Sequence, residues 1–423
     1  MNWEQRYRMR RWASTSLVLW GGLSLAAALA TAPAVRWFDR QTGWALFGYS
    51  PDGARAVLGA LAGAMQTFIV FVLSATLIVV QLASGQLTPR VIGIVFAMPQ
   101  VKVTLGLFTF TIAYTLAALA RVEDRVPDLH VGIAVLLNLV CILGFFLFVQ
   151  QLSDVLRPTS MMRLVADSGR RVIEQVYPLA YGPGRAEQAR LGAMPASGAR
   201  AVEFAGRSGV VLAFSEADLV RLAREADAVV ELVPQVGDYV AGGDPLFRVC
   251  GGARPVSAAA LRGCVAVGGE RTLEQDPRFA FRILVDMAIR ALSPAINDPT
   301  TAVLSLDQIH HLLLCLGRRH LGDGQAHDRD GKLRLVYGTP DWPDYVTLAV
   351  AEVRHYGAES LQVDRRLRAM LDHLIEALPE ARRPPLREEL ALLGTAVERR
   401  FQDEVDRKRA GVADYQGVGG SDS

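Results

Sequence analysis

Lysine is nearly missing from this chain. It occurs only at Lys102, Lys332 and Lys408, so arginine carries almost all of the positive charge. Charge of either sign is missing from Ala56 to Pro89. The four cysteines, Cys141, Cys250, Cys264 and Cys315, form no CxxC pair, which argues against a structural zinc site. They read as reduced thiols, in keeping with a cytoplasmic setting. No GxSxG elbow, P-loop or GxGxxG is found, so an enzyme has no sequence support. No catalytic, cofactor or metal residue is assigned, and no cofactor is expected. A formal net charge of +2 with no basic domain speaks against nucleic acid as a partner.

What is present divides at about residue 152. The long apolar runs precede it and the charge clusters follow it. The central run, 54–90, is long enough to cross a hydrocarbon core of about 30 Å at about 1.5 Å per residue. Thr67, Ser74, Gln81 and Thr88 recur along it at every seventh position, with Gly59, Gly63, Ser84 and Gly85 close to the same stripe. Phe68, Phe71, Leu73, Leu77 and Val80 are expected on the opposite face. Such a stripe turns toward protein or water and away from lipid. Helix packing is one reading of it, and a water-filled path lined by several copies is the other. No ionisable group lies at depth, which weakens a proton-coupled transporter more than a passive channel.

Three further runs complete the set: Trp12 to about Ala34, Val101 to about Ala120, and Leu129 to about Leu152. The first follows Arg6, Arg8, Arg10 and Arg11 and competes with a signal peptide ending near residue 32. Pro33 is poorly suited to follow a cut, and the run is long for a signal core, so a retained helix is preferred. Trp37, Phe38, Trp44, Phe47 and Tyr49 suit a membrane–water interface. Four spans put both ends of this part on one side. That side holds the leading arginines, Arg90, Lys102, Arg157, Arg163, Arg170 and Arg171, whereas the other has Arg36, Arg40, Arg121 and Arg125, with Arg55 near the boundary. The asymmetry places both termini in the cytoplasm of a multi-pass membrane protein, with the lipid bilayer as one partner. At the cytoplasmic boundary Arg90 and Asp154 form a candidate pair. Asn138, within the fourth run, is expected to hydrogen-bond between helices.

The fold class read from these patterns is a membrane all-α part of four transmembrane helices, followed by a cytoplasmic α+β domain, mostly helical with a small β module. The boundaries are 1–152 for the transmembrane domain, 153–200 for a helical linker, 201–270 for the β module, 271–410 for the helical domain and 411–423 for a disordered Gly/Ser-rich tail. Within the module, 202–211 reads as a strand with a turn, Ser215 as an N-cap, and 229–233 as a strand. Helices are expected from about Pro277, from Asp298-Pro299 to His320, and near 343–356, 359–378 and 384–409. Arg290, Ser293, Asn297, Asp298 and Thr300 make the most distinctive soluble corner. Asp298 would cap the next helix and Pro299 would open it, with an anion at the helix N-terminus as the functional alternative. His320, Asp323, His327, Asp328 and Asp330 share a polar loop but match neither an HExxH helix nor a calcium loop.

Two stretches, SATL at 74–77 with QLASGQLTPR at 81–90, and LVDMAIRALSPAINDPTTA at 284–302, resemble the bacterial membrane-protein family catalogued as domain of unknown function 2254. The likeness covers most of the chain and implies a polytopic membrane protein with a cytoplasmic tail, but no activity. Separately, the stretch from Val236 to Leu246 resembles the turn-and-strand signature of biotinyl- and lipoyl-type domains. No lysine lies between Lys102 and Lys332, which excludes cofactor carriage and leaves a module for packing or assembly.

The functional expectation is a homo-oligomeric, channel-like or transport-associated protein, its solute or ion unknown, with a cytoplasmic regulatory or assembly domain. The alternative is a membrane-anchored sensor or scaffold whose cytoplasmic domain binds a ligand or protein partner. Topology is directly testable. A reporter fused after Ser423 should be active only in its cytoplasmic form, and a periplasmic signal would reject the four-span reading.

Overall fold

The structure is a computed structural model that describes residues 2–42, 48–86, 98–122, 126, 128–155, 157–182 and 199–418. The chain forms two compact units. One comprises residues 10–160, and the other combines residues 1–9 with the chain from 161 onward.

Helix α1 (Trp3–Thr15) is followed at once by α2 (Leu17–Thr42). The break falls at Ser16, whose hydroxyl accepts from the Leu19 N–H at 3.2 Å, so the first apolar helix starts five residues later than the apolar run that begins at Trp12. Helices α3 (Pro51–Gln86), α4 (Pro99–Leu119) and α5 (Asp128–Val155) complete the first unit. Stretches of all four, Leu17–Asp39, Pro51–Leu82, Pro99–Leu119 and Asp128–Gln151, are long and apolar enough to cross a membrane.

Helix α4 is the hub and packs against α2, α3 and α5. Small side chains make the approach possible. Ala28, Ala32 and Ala54 are buried around Tyr114, Ala118 and Ala134. A Cβ at Gly106 would sit 2.9 Å from Ser24 Oγ, so glycine is what lets α2 and α4 close there. Between α4 and α5 the contact is partly polar. Asn138 donates to Ala134 O (2.7 Å) and reaches Thr115 Oγ1 (3.3 Å), Cys141 Sγ lies 3.1 Å from Thr111 Oγ1, and Tyr114 meets His130 Nδ1 at 2.9 Å. Asn138 thus has the interhelical bond expected of it.

The second unit opens with α6 (Pro158–Val176). Strands β1 (Arg200–Glu203), β2 (Gly209–Phe214), β3 (Ala228–Leu232), β4 (Tyr239–Val240), β5 (Pro245–Gly251) and β6 (Val265–Gly268) follow, with α7 (Glu216–Glu225) after β2 and α8 (Ala258–Arg262) after β5. Farther on lie β7 (Gln325–His327) and β8 (Leu333–Tyr337). The strands make two sheets, β1-β5-β3-β8-β7 and β4-β2-β6. Residues 202–211 are therefore not one strand, since β1 and β2 go to different sheets. The larger sheet also reaches past 270, because β8 pairs in parallel with β3. Val211, Val230, Phe247, Val265 and Leu335 share the core of this module. Ser215 caps α7, accepting from the Asp218 N–H at 3.3 Å. Gly237 and Gly243, both at φ 93°, make the turns that precede β4 and β5. At the outer strand β6, Val267 O accepts from Arg8 at 3.1 Å, and Gly263 O accepts from the Glu4 N–H at 3.0 Å, so the start of α1 covers this end of the small sheet.

The helical part consists of α9 (Pro277–Ala291), α10 (Pro299–Gly317), α11 (Trp342–Gly357), α12 (Leu361–Ala377), α13 (Arg383–Arg400) and α14 (Glu404–Ala410). The helix expected over 384–409 is interrupted, because Asp403 accepts from the Val405 N–H (2.7 Å) and restarts the chain as α14. Residues 411–418, expected to be disordered, pack instead. Asp414 is buried, its N–H donates to Arg365 O (3.1 Å), its carboxylate accepts from the Gly417 N–H (2.8 Å), and Gln362 donates to Gly417 O (2.7 Å).

Glycine spacing gives two stability predictions of opposite sign. A Cβ at Gly169 on α6 would lie 2.6 Å from Ala280 Cβ on α9, so Gly169→Val should cost about 1–3 kcal/mol by overpacking. Gly394, inside α13, has open space around it, so Gly394→Ala should stabilise by about 0.5–1 kcal/mol. Denaturant unfolding of the purified full chain in detergent reads both.

Candidate functional site

Helix α3 has two unlike faces. Leu58, Met65, Val72, Thr76 and Val79 are buried inside the four-helix unit. Thr67, Ser74 and Gln81 each stand two positions after a buried residue, namely Met65, Val72 and Val79, and two residues turn a helix by about 200°. All three are exposed. The stripe therefore lies opposite the contact with α4 and α5. Thr67 donates to Gly63 O at 3.1 Å. Gly59 and Gly63, near the same line, have nothing within 4 Å of where a Cβ would stand. Exposed Val70, Phe71, Leu77 and Ile78 flank it. Of the residues expected on the apolar far face, Phe71, Leu73 and Leu77 are instead exposed on the stripe's side, whereas Val80 is buried and Phe68 packs on Phe108 (6.4 Å) and Phe145 (5.2 Å) in the in-chain contact away from the stripe. Among its described residues the polar group α3 buries is Thr76, which the seven-residue spacing passes over; it donates to Val72 O at 2.7 Å.

The Ser84 side chain, Thr88 and Arg90 lie outside the described residues. Asp154 lies 3.9 Å from Arg157, one turn along the chain.

At the 290–300 corner the side chains serve the turn. Asp298 Oδ1 accepts from the Thr301 N–H (3.0 Å) and Oδ2 from the Thr301 hydroxyl (2.6 Å), with Pro299 at the first helical position. The Ser293 hydroxyl donates to Arg290 O (2.7 Å), while Ser293 O accepts from the Asn297 N–H (2.8 Å). Asn297 takes φ +48°, a conformation asparagine tolerates better than most. Thr300 is exposed. Both Asp298 oxygens are thus engaged at the helix end where an anion would bind, and the carboxylate charge opposes one.

The histidines are distributed differently from their sequence neighbourhoods. His310 turns away from His311 and meets His373 across α10 and α12, Nε2 to Nδ1 at 2.8 Å. Arg366 stands 3.1 Å from His310 Nδ1 and donates to Asp307 at 2.8 Å. A guanidinium only donates, so His310 Nδ1 accepts and its proton sits on Nε2, facing His373. Burial, then Arg366 and His373, push the His310 pKa down to about 4. In the 320–330 loop, Asp328 is buried and accepts from Arg334 at 2.7 Å, and Asp323 accepts from the Gln325 N–H at 3.1 Å. Among the described residues no group of three or more His, Cys, Asp or Glu could hold a metal ion.

The second unit also holds a cavity of about 230 Å³ that no sequence motif announces. It forms where the end of α6, the β2–α7 junction, the start of α9 and the end of β8 converge. Tyr177, Phe214, Tyr337 and Tyr345 line it together with Glu216, Asp276 and Arg278. Tyr177 and Tyr345 share a hydroxyl contact of 3.1 Å, and Gln275 is fixed through both ends of its amide to the Phe214 backbone (3.0 and 3.2 Å). Asp276 caps α9 through Oδ1, while Oδ2 has no hydrogen-bond partner among the described residues. Burial pushes its pKa up, against the pull of Arg271 and Arg278.

A family model described as predicted membrane protein (DUF2254) matches residues 8–373. Uncharacterized proteins of Mycobacterium bovis and Mycobacterium tuberculosis are each 30% identical over 377 residues, covering 86% of this chain and 71% of the relative. No solved structure matches.

The corner geometry makes its own prediction. Asp298→Ala leaves the α10 N-terminus uncapped and should lower stability by about 1 kcal/mol. Asp298→Asn, which keeps an acceptor, should recover most of that loss in the same unfolding measurement.

Proposed function

We propose that this chain, which belongs to the predicted membrane protein family DUF2254, acts as a homo-oligomer in the bacterial inner membrane in which α3 helices of neighbouring copies meet along the Gly59, Gly63, Thr67, Ser74 and Gln81 line. The role is channel-like or transport-associated, the seam is the path or its gate, and the second unit is the cytoplasmic regulatory or assembly domain. One observation carries this reading: the stripe lies opposite the face that α3 buries in its own chain. Threonine and serine can face lipid by bonding to their own helix backbone, as Thr67 does. The Gln81 amide cannot be satisfied so cheaply, and hydrocarbon offers it no partner. Two glycines four residues apart with open space before them are what close helix approach needs.

Single cysteines test the seam. Thr67→Cys, Ser74→Cys and Gln81→Cys should give disulfide-linked dimers on oxidation in native membranes, whereas Met65→Cys and Val72→Cys should not. Absence of cross-links from the first set would sink the assembly. If the seam carries water, the same cysteines should react with a water-soluble thiol reagent, and Gln81→Leu should reduce flux in liposomes while the oligomer survives, because an apolar ring gates by dewetting. If the seam only packs, Gln81→Leu should weaken assembly by about 0.6 kcal/mol, and at most about 2, with no effect on flux.

A further inference from the structure

The cavity of the second unit has a definite chemical character. Much of its polar lining is already engaged. The Gln275 amide holds the Phe214 backbone, the Tyr177 and Tyr345 hydroxyls face each other, and Arg278 donates to Val236 O at 3.1 Å. Three features are left to meet a ligand. The Phe214 and Tyr337 rings, 5.0 Å apart and inclined at 59°, form an aromatic corner. Glu216, exposed at the first position of α7, accepts from the Tyr337 hydroxyl at 3.3 Å. The amide side chains of Gln175 and Gln235 also line the space and make no hydrogen bond within the described residues.

Charge decides the sign of the ligand. Two carboxylates, Glu216 and Asp276, face one lining cation, Arg278. Arg271 stands 4.0 Å from Asp276 and partly offsets that acid, but Glu216 has no such neighbour among the ion pairs of the described residues. Burial, followed by the nearby Glu216 carboxylate, pushes the Tyr337 pKa up. An anion entering here would meet both acids. A cation would meet a carboxylate and the faces of aromatic rings, the combination that attracts organic ammonium groups. Size limits it further: at about 230 Å³ the cavity lies below the range of drug-sized sites.

We propose that this cavity binds a small organic ammonium compound, its cationic head held between Glu216 and the Phe214–Tyr337 corner and its polar end directed to Gln175 and Gln235. The site lies wholly within the second unit and does not depend on the α3 assembly.

The test is isothermal titration of the purified full chain in detergent with tetramethylammonium, which cannot hydrogen-bond and so probes the head site alone, and with choline, which adds a neutral hydroxyl as a polar end. Saturable binding in the millimolar range or tighter is expected. Glu216→Gln, a change at an exposed position, should weaken both by about tenfold. Tyr337→Leu should do the same, whereas Tyr337→Phe, which keeps the ring, should retain tetramethylammonium binding. Glu225→Gln, on the same helix and outside the cavity lining, should change nothing. No saturable heat with either compound, unchanged affinity in Glu216→Gln, or displacement of both compounds by inorganic phosphate would overturn the proposal. These readouts are equilibrium affinities, so their failure is distinct from failure of cross-linking or flux.

Discussion

Apolar helices in an apolar solvent gain little from hydrophobicity when they touch, so the four-helix unit depends on close approach and side-chain hydrogen bonds. Its contacts show both. Gly106 and the alanines of α2 and α3 bring backbones together around α4, and Asn138 reaches across to Thr115. The same constraint explains what is left over. Helix α3 uses Met65, Val72 and Val79 for its own chain, and among the described residues no helix of this unit covers the opposite side. The polar line on that side is left uncovered by the described residues of the unit.

The second unit solves a different problem, that of tying many loops with few lysines. Guanidinium groups do it through several fixed donors at once, which an ammonium cannot match in geometry. Arg334 joins Asp328 (2.7 Å) and Asp227 (2.9 Å), and Arg271 and Arg278 hold the carbonyls of Gly237 and Val236. Arg382 lies between the Tyr181 and Trp342 rings, 5.0 and 5.3 Å from their centroids, where a flat cation stacks. The Arg271 and Arg278 ties fix the loop beside the cavity. They also set its charge, because arginines spent on backbone carbonyls and on Asp276 leave Glu216 free to face a cation.

Local signals carried much of the fold, and non-local ones escaped. The four apolar runs, the Ser215 cap and the Asp298-Pro299 helix start were legible because each depends on a few adjacent residues and a fixed period. The pairing of β3 with β8 was not, since a parallel partner about a hundred residues away leaves no mark on either strand's alternation. Residues 411–418 were misread because composition signals disorder, whereas one buried carboxylate, Asp414, organises the turn. The α3 stripe was visible as a period, but which side of the helix its own chain would cover depended on where α4 and α5 lay. The cavity left no motif at all: its lining comes from several separate segments, although Phe214 and Glu216 flank the legible Ser215 cap.

The spacing on α3 also bears on how copies would cross. Thr67, Ser74 and Gln81 repeat every seven residues, and a seven-residue repeat drifts about 20° per heptad on a straight helix, which a left-handed supercoil corrects. Gly59 and Gly63, four residues apart, suit a right-handed crossing near −40° instead. The two patterns share one face but not one geometry. Helices crossing right-handed at Gly63 would be separating by Gln81, some 27 Å farther along at about 1.5 Å per residue. A left-handed pair would keep Thr67, Ser74 and Gln81 in register but leave the glycines less tightly apposed. The first arrangement gives a pinch at one end and an opening at the other, whereas the second gives a closed polar seam. Gln81 is therefore the position at which the two differ most: it borders a widening space in one and is hydrogen-bonded across a contact in the other.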